Sequence, residues 1–394
     1  MVAPSLSLAA GPKRGTWPRV SFRRLRAWLY QALFAGLIIA AGFAIARNVQ
    51  GNLALRGLTL DFSFLNREAG FAISFSAIPY TEASSYGRVF LVGLTNTLLV
   101  AVLAIPLATL LGFLIGVARL SANAAVARFA LVYVEVIRNL PALLHVLIWY
   151  NVALRALPGP RQAWSLFGAT FLSNRGLTFP SPVMDASGAY LVASAAFVAA
   201  AVWFVRRRGG GGATRARSAR AVDCTIVAIL FAMAFWQADA GISVPHLSGF
   251  NFEGGATLDP EIVALVIALS VYNAAFIAEL VRSSILSVDK GQREAALALG
   301  LDRRRILRLV VMPQALRLLV PPLAGQYLHL LKASSLGALI GFPELINVFA
   351  STSLNQTGRA VEIILMTMAV YLVLSAAISL AASMFEAGAK WKTR

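Results

Sequence analysis

The sequence has little of what soluble enzymes use. Only 13% of its 394 residues are charged, whereas soluble domains carry about 25%. The chain has one cysteine, Cys224, and three histidines, His145, His246 and His329, so it has neither a disulfide framework nor the spacing of a metal site. These shortages exclude a disulfide-stapled secreted fold and indicate a chain that needs no metal or other cofactor.

Signatures of phosphate binding and catalysis are missing too. The glycine run at 209–212 is not followed by Gly-Lys-Ser or Gly-Lys-Thr, so it predicts a flexible linker and not a nucleotide-binding loop. Nothing in the sequence points to a Ser-His-Asp or Cys-His arrangement. The chain is therefore not expected to be an enzyme.

Acidic residues are also few, 17 against 35 Lys and Arg, and the net charge is +18. Such a charge could suggest nucleic acid. However, the arginines lie in short loops at the ends of apolar runs, where they set the orientation of membrane helices. The basic residues therefore predict cytoplasmic loops, contact with membrane lipid and no nucleic-acid partner.

Long apolar runs are what the chain has instead. The hydrophobic fraction is 58% and the mean hydropathy is +0.73, and runs of about 20 residues are long enough to cross a bilayer as helices. The sequence predicts an all-α integral membrane protein with about eight transmembrane helices, both termini in the cytoplasm and every Arg-rich loop on the same side. The predicted spans are 27–46, 88–120, 129–154, 189–205, 222–240, 261–288, 320–342 and 360–385.

Proline and glycine predict local features of these spans. Gly112 and Gly116 form a pair at the spacing that lets two membrane helices approach closely, although glycine is common in membrane helices in any case. Pro106 predicts a kink, and Pro141 predicts a helix break. The stretches 155–188, 241–259 and 343–358 are expected to be outer loops or turns.

The stretch 294–313, EAALALGLDRRRILRLVVMP, organises the chain. It is too polar for lipid and too regular for a slack loop. Glu294, Ala295, Ala296 and Leu299 lie at helical spacing, Gly300 ends that helix, and Asp302 is placed to cap a second helix over 303–311. Pro313 predicts a turn into the next segment. Two short helices joined at Gly300 are expected to form a rigid projection outside the bilayer.

This pattern resembles the "EAA" loop of ABC-importer permeases. Glu-Ala-Ala is followed after three residues by Gly, and a Pro ends the stretch after an apolar pair, with Val310 and Met312 in place of the usual Ile and Leu. In that family the loop docks into a cleft of a cytoplasmic ATPase. The resemblance implies that eight residues couple the chain to the ATPase: Glu294, Ala295, Ala296, Gly300, Arg303, Arg304, Arg305 and Pro313. An Arg-rich cytoplasmic connector without a partner is the alternative.

Several other stretches are similar to the polar amino-acid branch of these permeases, the histidine/glutamate/glutamine/arginine type. They are GLTNTL at 93–98, RNLP at 138–141, the run from Phe276 to Gly300, LLKASSLGALIGFPEL at 330–345 and LNQTGRAVEIILM at 354–366. The extended N-terminus, the inserted pair of spans and the LNQTG stretch at 354–358 resemble the general L-amino-acid permease subgroup of Gram-negative bacteria. Leu140 departs from the Thr that is common at its position.

The resemblance implies a five-helix type I permease core with additions. Residues 1–26 would be a basic cytoplasmic lead and 27–87 an extra N-terminal span with a periplasmic segment. The core would comprise 88–157 and 257–390, with the coupling loop at 289–313. Residues 158–256 would be an inserted helix pair with an Arg/Gly-rich cytoplasmic loop.

The resemblance also implies partners and a place in the cell. The chain would lie in a bacterial inner membrane, pair with a second homologous permease subunit, and receive an L-amino acid from a periplasmic binding protein. A dimer of separate ATPase subunits would hydrolyse ATP. This chain would form half of the translocation path.

Polar residues within the apolar runs are the candidates for that path. Ionisable groups at membrane depth cost about 2.5–3.5 kcal/mol each and tend to face protein or a watery cavity. A cation on the path would attract the carboxylate of a substrate, although Lys332 could also be a lysine that reaches the surface from a helix end. Glu135 and Arg138 could instead pair with each other, as could Glu279 and Arg282. The candidates are Glu135, Arg138, Asn139, Lys332, Ser334 and Ser335.

A second class of function competes with the ABC permease. A secondary transporter or channel for amino acids would also have many apolar helices and polar groups at membrane depth. Such a carrier works alone and has no need of a docking projection between two spans, and it often shows inverted repeats. The sequence shows the projection and no evident repeat, which favours the ABC permease.

Overall fold

The computed structural model of the chain describes residues 22–55, 60–183 and 241–390. The fourth and fifth predicted spans, at 189–205 and 222–240, and the Arg/Gly-rich loop between them lie outside these residues. Both spans therefore stay predictions.

The chain divides into two units, Met1–Phe62 and Ser63–Arg394. In the first unit, helix α1 (Phe22–Leu55) extends beyond the predicted span at both ends. Its apolar stretch, Leu29–Ala44, is shorter than the spans of the second unit. A crossing at 27–46 therefore stays a prediction.

The second unit is mostly helical. In the part of the chain that the structure describes, four helical segments are long and apolar enough to cross a membrane, and a broken helix pair makes a fifth if it counts as a single span. This agrees with the expected five-helix core. The long helices are α2 (Tyr86–Ala118), α5 (Pro260–Leu286), the helical segment Arg303–Ile340 and Ala360–Met384 of α10 (Ala360–Lys390).

The broken pair is α3 (Ala124–Asn139) and α4 (Ala142–Arg155), whose axes differ by 106°. Leu140 between them is extended, with φ −95° and ψ 139°, as a residue before proline prefers. The carbonyl oxygen of Ile137 has no donor at Pro141 and accepts instead from the N–H of Leu140 at 3.4 Å, and Nε2 of His145 lies 3.2 Å from it. The helix break predicted at Pro141 is confirmed.

Helices α2 and α5 pack along a seam of glycines. A Cβ atom built on Gly112 would lie 2.6 Å from the Cβ of Ile277, and one on Gly116 would lie 2.7 Å from the carbonyl oxygen of Ala278. Such distances leave no room for a side chain. The glycine pair therefore makes the close helix contact that its spacing predicts, while α2 continues as a helix through Pro106.

The outer stretches predicted as loops contain eight short strands among the described residues. Strands β1, β2, β3 and β8 form one antiparallel sheet, and β4–β5 and β6–β7 form two ribbons. Val183 pairs with Gly241. The two ends of the segment 184–240, which the structure does not describe, are therefore adjacent. This fits an insertion that starts and ends on the same side of the membrane. The strands are β1 (Trp164–Leu166), β2 (Thr170–Ser173), β3 (Gly176–Phe179), β4 (Ser181–Val183), β5 (Gly241–Ser243), β6 (His246–Ser248), β7 (Asn251–Glu253) and β8 (Ala256–Leu258).

The seventh predicted span, 320–342, lies mostly in a longer helical segment, so the point at which a crossing begins stays a prediction. A helical segment runs from Arg303 to Ile340 and contains α8 (Met312–Ala333), with Pro321 and Pro322 inside that helix. It ends in the 3-10 helix Ser334–Ile340, closed by Gly341 at φ +82°. The two prolines are exposed and lower helix propensity, but they do not end the helix, because Leu319 and Leu323 beside them pack in the apolar cluster.

The prediction of an outer turn at 343–358 is wrong, because most of this stretch is helical. It forms the π-helix Ile346–Ser353 and the short helix α9 (Leu354–Thr357), and Gly358 ends it at φ +66°. Leu345 and Phe349 are fully buried beside Val89 of α2. Burial of these apolar side chains, which periodicity in a short stretch does not reveal, decides the local structure. Two further short 3-10 helices are Ser63–Asn66 and Pro160–Gln162.

Candidate functional site

The predicted coupling stretch is a pair of short helices between α5 and α8. The first, α6 (Lys290–Ala298), begins four residues before Glu294, and the Oδ1 of Asp289 caps it by accepting from the N–H of Gly291 at 3.1 Å. The second, α7 (Arg303–Ile306), follows after four linking residues. We call residues 290–306 the elbow.

Gly300 makes the bend of the elbow. Its φ is +76°, its N–H donates to the carbonyl oxygen of Leu297 at 2.9 Å, and the N–H of Leu301 donates to that of Ala296 at 3.2 Å. These two bonds form the Schellman arrangement that closes a helix with a left-handed glycine. The predicted role of Gly300 as a helix terminator is confirmed.

Asp302 begins the second helix, but its side chain does not act as the predicted cap. Its backbone is extended and its carbonyl oxygen accepts the first helical bond, from Ile306 at 3.0 Å. No capping hydrogen bond reaches its carboxylate. Instead, Oδ1 lies 3.3 Å from Nε of Arg305, an exposed ion pair that contributes little stability.

Pro313 does not mark the predicted turn, and the helix runs past it. A π-helical stretch, Leu307–Val311, precedes it, and the N–H of Met312 donates to the carbonyl oxygen of Leu307. A wider turn accommodates a residue that has no N–H and whose ring crowds the preceding turn. The second predicted helix, 303–311, is therefore α7 and a π-turn that lead directly into α8.

The elbow is anchored on its inner side. Ala296 and Ile306 of the elbow, together with Val311 after it, are buried in the same apolar cluster as Ile285 of α5 and Val288 just beyond that helix. The guanidinium of Arg293 adds a polar link, because Nη2 donates to the carbonyl oxygen of Ile285 at 2.6 Å. The elbow is thus fixed to α5 by packing and by a charge-assisted bond.

The outer side of the elbow is open and mixes charge with apolar surface. Among the described residues, no hydrogen bond or ion pair reaches the side chain of Glu294. Leu299 is 81% exposed and Leu297 is 56% exposed, so apolar surface lies beside the charged side chains. Ala295, Arg303, Arg304 and Arg305 of the elbow are also exposed, as are Arg308 and Pro313 just after it. Such a surface can receive a partner protein.

Glu135 and Arg138, two candidate path residues on α3, do not form the ion pair that was one alternative for them. Glu135, Arg138 and Asn139 are exposed, and no ion pair joins Glu135 to Arg138 in the described part of the chain. The Arg138 guanidinium instead lies over the ring of Phe276 on α5, 5.2 Å from its centroid. The aromatic face attracts the cation and leaves the carboxylate of Glu135 unpaired.

The candidates at the end of α8 differ in burial. Lys332 is exposed, and no acidic side chain pairs with it among the described residues. Ser335 is half-buried and donates to the carbonyl oxygen of Lys332, whereas Ser334 is fully buried and donates to that of Leu331 at 2.7 Å. The lysine is therefore available to an anion, and Ser334 faces the protein interior.

Two histidines that are far apart in sequence meet at Tyr272 of α5. The ring of His145 lies 5.4 Å from that of Tyr272 and the ring of His329 lies 6.2 Å from it. Nδ1 of His329 is 3.4 Å from the Oδ1 of Asn273. Sequence analysis missed this cluster, which joins α4, α5 and α8, because only the fold brings the three helices together.

Asn96 and Thr97 also have roles that the sequence did not assign. The Asn96 amide donates to the carbonyl oxygens of Phe75 at 3.0 Å and Pro343 at 2.8 Å. Its oxygen accepts from the N–H of Ala77 at 3.1 Å. Thr97 accepts from the N–H of Leu345 at 3.1 Å. The GLTNTL and GFPEL stretches are thus hydrogen-bonded to each other. In the sequence, only the resemblance of both stretches to the same family indicated that they matter.

The pairing predicted as one alternative for Glu279 and Arg282 is confirmed. Nη2 of Arg282 lies 2.7 Å from Oε1 of Glu279. A second cation, Arg119, bonds the other oxygen of the same carboxylate. This arginine follows α2 directly, so the carboxylate bridges two helices.

Comparisons with known proteins agree with the motifs. A family profile described as "Binding-protein-dependent transport system inner membrane component" matches residues 218–390. A putative amino-acid ABC transporter permease, YhdX of Escherichia coli, is 46% identical over 367 residues, covering 92% of this chain and 93% of that protein. The general L-amino acid transport system permease AapQ of Rhizobium johnstonii is 42% identical, covering 92% of each.

A further relative and a solved structure also match. The permease BztB of a glutamate/glutamine/aspartate/asparagine transport system of Rhodobacter capsulatus is 34% identical over 437 residues, covering 99% of this chain and all of that protein. Among solved structures, an amino acid ABC transporter crystallised with histidines matches at 21% identity, with 76% of this chain and 94% of that chain covered and a TM-score of 0.46.

Proposed function

This chain belongs to the amino-acid ABC transporter permeases, and from that premise we propose that it is the membrane subunit of an ATP-driven importer of L-amino acids. As a permease it is a membrane component of a transporter and not itself a catalyst. The observation that carries the proposal is the elbow: a rigid helix pair between two spans, anchored on α5, with Glu294 unpaired on its outer face.

The elbow is where a separate ATPase subunit would hold this chain. Glu294 would bond a donor of the ATPase, the exposed leucines would fill its cleft, and Arg303, Arg304 and Arg305 would meet acidic groups. Closure of an ATPase dimer on ATP would push the elbow, and α5 would follow because the two are packed together. The motion would switch the translocation path from inward-open to outward-open.

The exposed polar residues on α3 and α8 would line half of the translocation path. An L-amino acid presents a carboxylate, and Arg138 and Lys332 are the cations placed to attract it in a low-dielectric passage. Glu135 would face the ammonium group. A second homologous permease subunit would supply the other half, and a periplasmic binding protein would deliver the amino acid.

The proposed orientation places the elbow in the cytoplasm and strands β1–β8, which we call the strand module, in the periplasm. The elbow and the tail carry an excess of Lys and Arg, as cytoplasmic segments do. Both termini would then lie in the cytoplasm. The chain would be a multi-pass protein of a bacterial inner membrane.

Uptake by reconstituted vesicles tests this function. Vesicles that contain this chain, the candidate second permease and the candidate ATPase, supplied with the binding protein, should take up amino acids only when ATP is present. Uptake by this chain alone, driven by an ion gradient with no ATPase present, is the result expected of a secondary transporter and would refute the proposal.

A further inference from the structure

Arg119 and Glu279 form a contact between helices that lies apart from the elbow. Arg119 is the first residue after α2, and Glu279 lies on α5 seven residues before that helix ends. The Arg119 side chain is only 9% exposed and that of Glu279 is 26% exposed. We call this contact the Arg119–Glu279 bridge.

The bridge lies between the glycine seam and the elbow. Gly112 packs against Ile277, and Gly116 packs against Ala278 and Val281. Glu279 is therefore at the end of the closest approach of α2 to α5. Beyond it, α5 continues to Ile285, whose carbonyl oxygen holds Arg293 of the elbow.

The seam holds α2 and α5 together by apolar contact, with Ile277 against Gly112 and Val281 against Gly116. The bridge adds a polar link of a different kind at this contact. An ion pair with low exposure has a defined geometry, and breaking it leaves a charge without its partner. The bridge therefore opposes a displacement of α5 relative to α2 that would separate the two charges.

The bridge also reaches the candidate path. Arg119 opens the turn from α2 to α3, and Asn123 caps α3 by accepting from the N–H of Ala125 at 2.9 Å. Helix α3 carries Arg138, which lies over Phe276 of α5. A displacement of α5 would thus be passed at the bridge to the α2–α3 turn, and from there to a cation of the path.

We propose that Arg119 and Glu279 are positioning residues that carry the movement of the elbow into the α2–α3 turn, so that ATP hydrolysis and transport stay coupled. This inference rests on the proposed function. Among the described residues, no hydrogen bond or ion pair joins either residue to the elbow. In the proposed function neither residue binds the ATPase or the substrate. The bridge acts by holding two helices in register while one of them is pushed.

Arg282 provides a matched control. It binds the same carboxylate as Arg119, with Nη2 2.7 Å from Oε1, but it lies on the same helix one turn away and its side chain is 32% exposed. Replacing either arginine by alanine removes one cation from Glu279. Only the change at Arg119 removes the link between helices.

The experiment measures amino acid imported per ATP hydrolysed by reconstituted complexes of the wild type, Arg119→Ala and Arg282→Ala. We expect Arg119→Ala to lower this ratio by about 2- to 30-fold, the range in which single residues change coupling between sites, while the ATPase still co-purifies. Arg282→Ala should keep most of the wild-type ratio. An unchanged ratio in Arg119→Ala overturns the inference, and so does an equal loss in both variants.

Glu279→Gln decides the matter if Arg119→Ala does not insert into the membrane. It keeps the size of the side chain and one acceptor oxygen and removes the charge. The ratio should fall as in Arg119→Ala, and a wild-type ratio overturns the inference. If the wild type itself takes up nothing with ATP or binds no ATPase, the proposed function has failed instead.

Discussion

Gly112 of α2 lies against Ile277 of α5 so closely that a Cβ atom on the glycine would be 2.6 Å from the isoleucine Cβ. The same atom would be 2.9 Å from the carbonyl oxygen of Ala274. The close neighbours are thus the Cβ of a branched side chain and a backbone oxygen, and neither can move aside. This contact fixes the distance between α2 and α5. The elbow follows α5, and the bridge joins the two helices.

The first prediction concerns this seam. Gly112→Ala should destabilise the protein by about 1–3 kcal/mol, as overpacked cores do, and should lower the melting temperature of the detergent-solubilised protein. Gly325→Ala is the control, since Gly325 lies in α8 where an added Cβ atom would meet no neighbour within 4 Å, and it should be neutral or slightly stabilising. Equal melting temperatures for the two variants would contradict the close packing of α2 on α5.

The second prediction concerns the bend of the elbow. Proline holds φ near −65°, whereas Gly300 has φ +76°, so Gly300→Pro should abolish uptake while the protein still inserts. Gly300→Ala should be milder, because a Cβ there meets no atom within 4 Å and the left-handed backbone costs an alanine roughly 1–2 kcal/mol.

Gly291→Ala is the control for the elbow. Gly291 lies in the first turn of α6, and the nearest heavy atom to a Cβ is 3.6 Å away. Its φ is not left-handed, so uptake should stay at the wild-type level. Normal transport by Gly300→Pro would show that the bend has no role in coupling.

The third prediction concerns Glu294. Glu294→Lys should leave the melting temperature unchanged, because among the described residues nothing bonds this side chain. The affinity for the ATPase should nevertheless fall by about tenfold or more, since a misplaced charge in an interface costs several kcal/mol, and uptake should be lost. Glu82→Lys reverses the charge of an exposed acid in the outer segment, and it should change neither the affinity for the ATPase nor the uptake. Wild-type uptake by Glu294→Lys would remove Glu294 from the docking surface.

The fourth prediction concerns Glu344, which lies between the last two spans and is fully buried. Its carboxylate accepts from the N–H groups of Ile346 and Asn347, each at 2.8 Å. Burial raises its pKa from 4.5 to about 7, although these two bonds act in the opposite direction. The folded protein therefore binds a proton at this site that the unfolded chain releases between pH 4.5 and about 7.

The sign of the effect follows from that proton. Between pH 4.5 and about 7 the folded state holds more protons at this site, so its contribution to stability falls as pH rises, by up to about 1.4 kcal/mol per pH unit. Other groups titrate in the same window, so the measurement is the difference between the wild type and Glu344→Gln in unfolding free energy. The difference should change across the window, and a constant difference would contradict the raised pKa.

Local chemistry was enough to predict several parts of the structure. Gly300 ends its helix, Pro141 breaks the third span and Gly112 approaches a neighbouring helix because each depends on the conformational freedom or size of a single residue. The prediction of two short helices joined at Gly300 rested on the same property of glycine. The coupling role proposed for the elbow came only from the resemblance, because no hydrogen bond or ion pair within the described part of the chain indicates what Glu294 binds.

The features that sequence analysis missed depend on tertiary contacts. The eight outer strands have three or four residues each, too few for a period of two to be detected. The stretch 343–358 is helical because Leu345 and Phe349 are buried against α2, and Asn96 and Thr97 bind its start. Arg119 and Glu279 are 160 residues apart, and nothing in either neighbourhood indicates that they meet.

The central claim is that the elbow is held by a separate ATPase, and cross-linking tests it most directly. Leu299→Cys, in a chain whose Cys224 is replaced by serine, presents a thiol at a position that is 81% exposed. Phe167→Cys presents one at a position of the strand module that is 95% exposed. In a transporting complex, the thiol at 299 should cross-link to the ATPase and the thiol at 167 should not. A complex that transports normally while the thiol at 299 reacts only with reagents added from the periplasm, and never with the ATPase, would contradict the account.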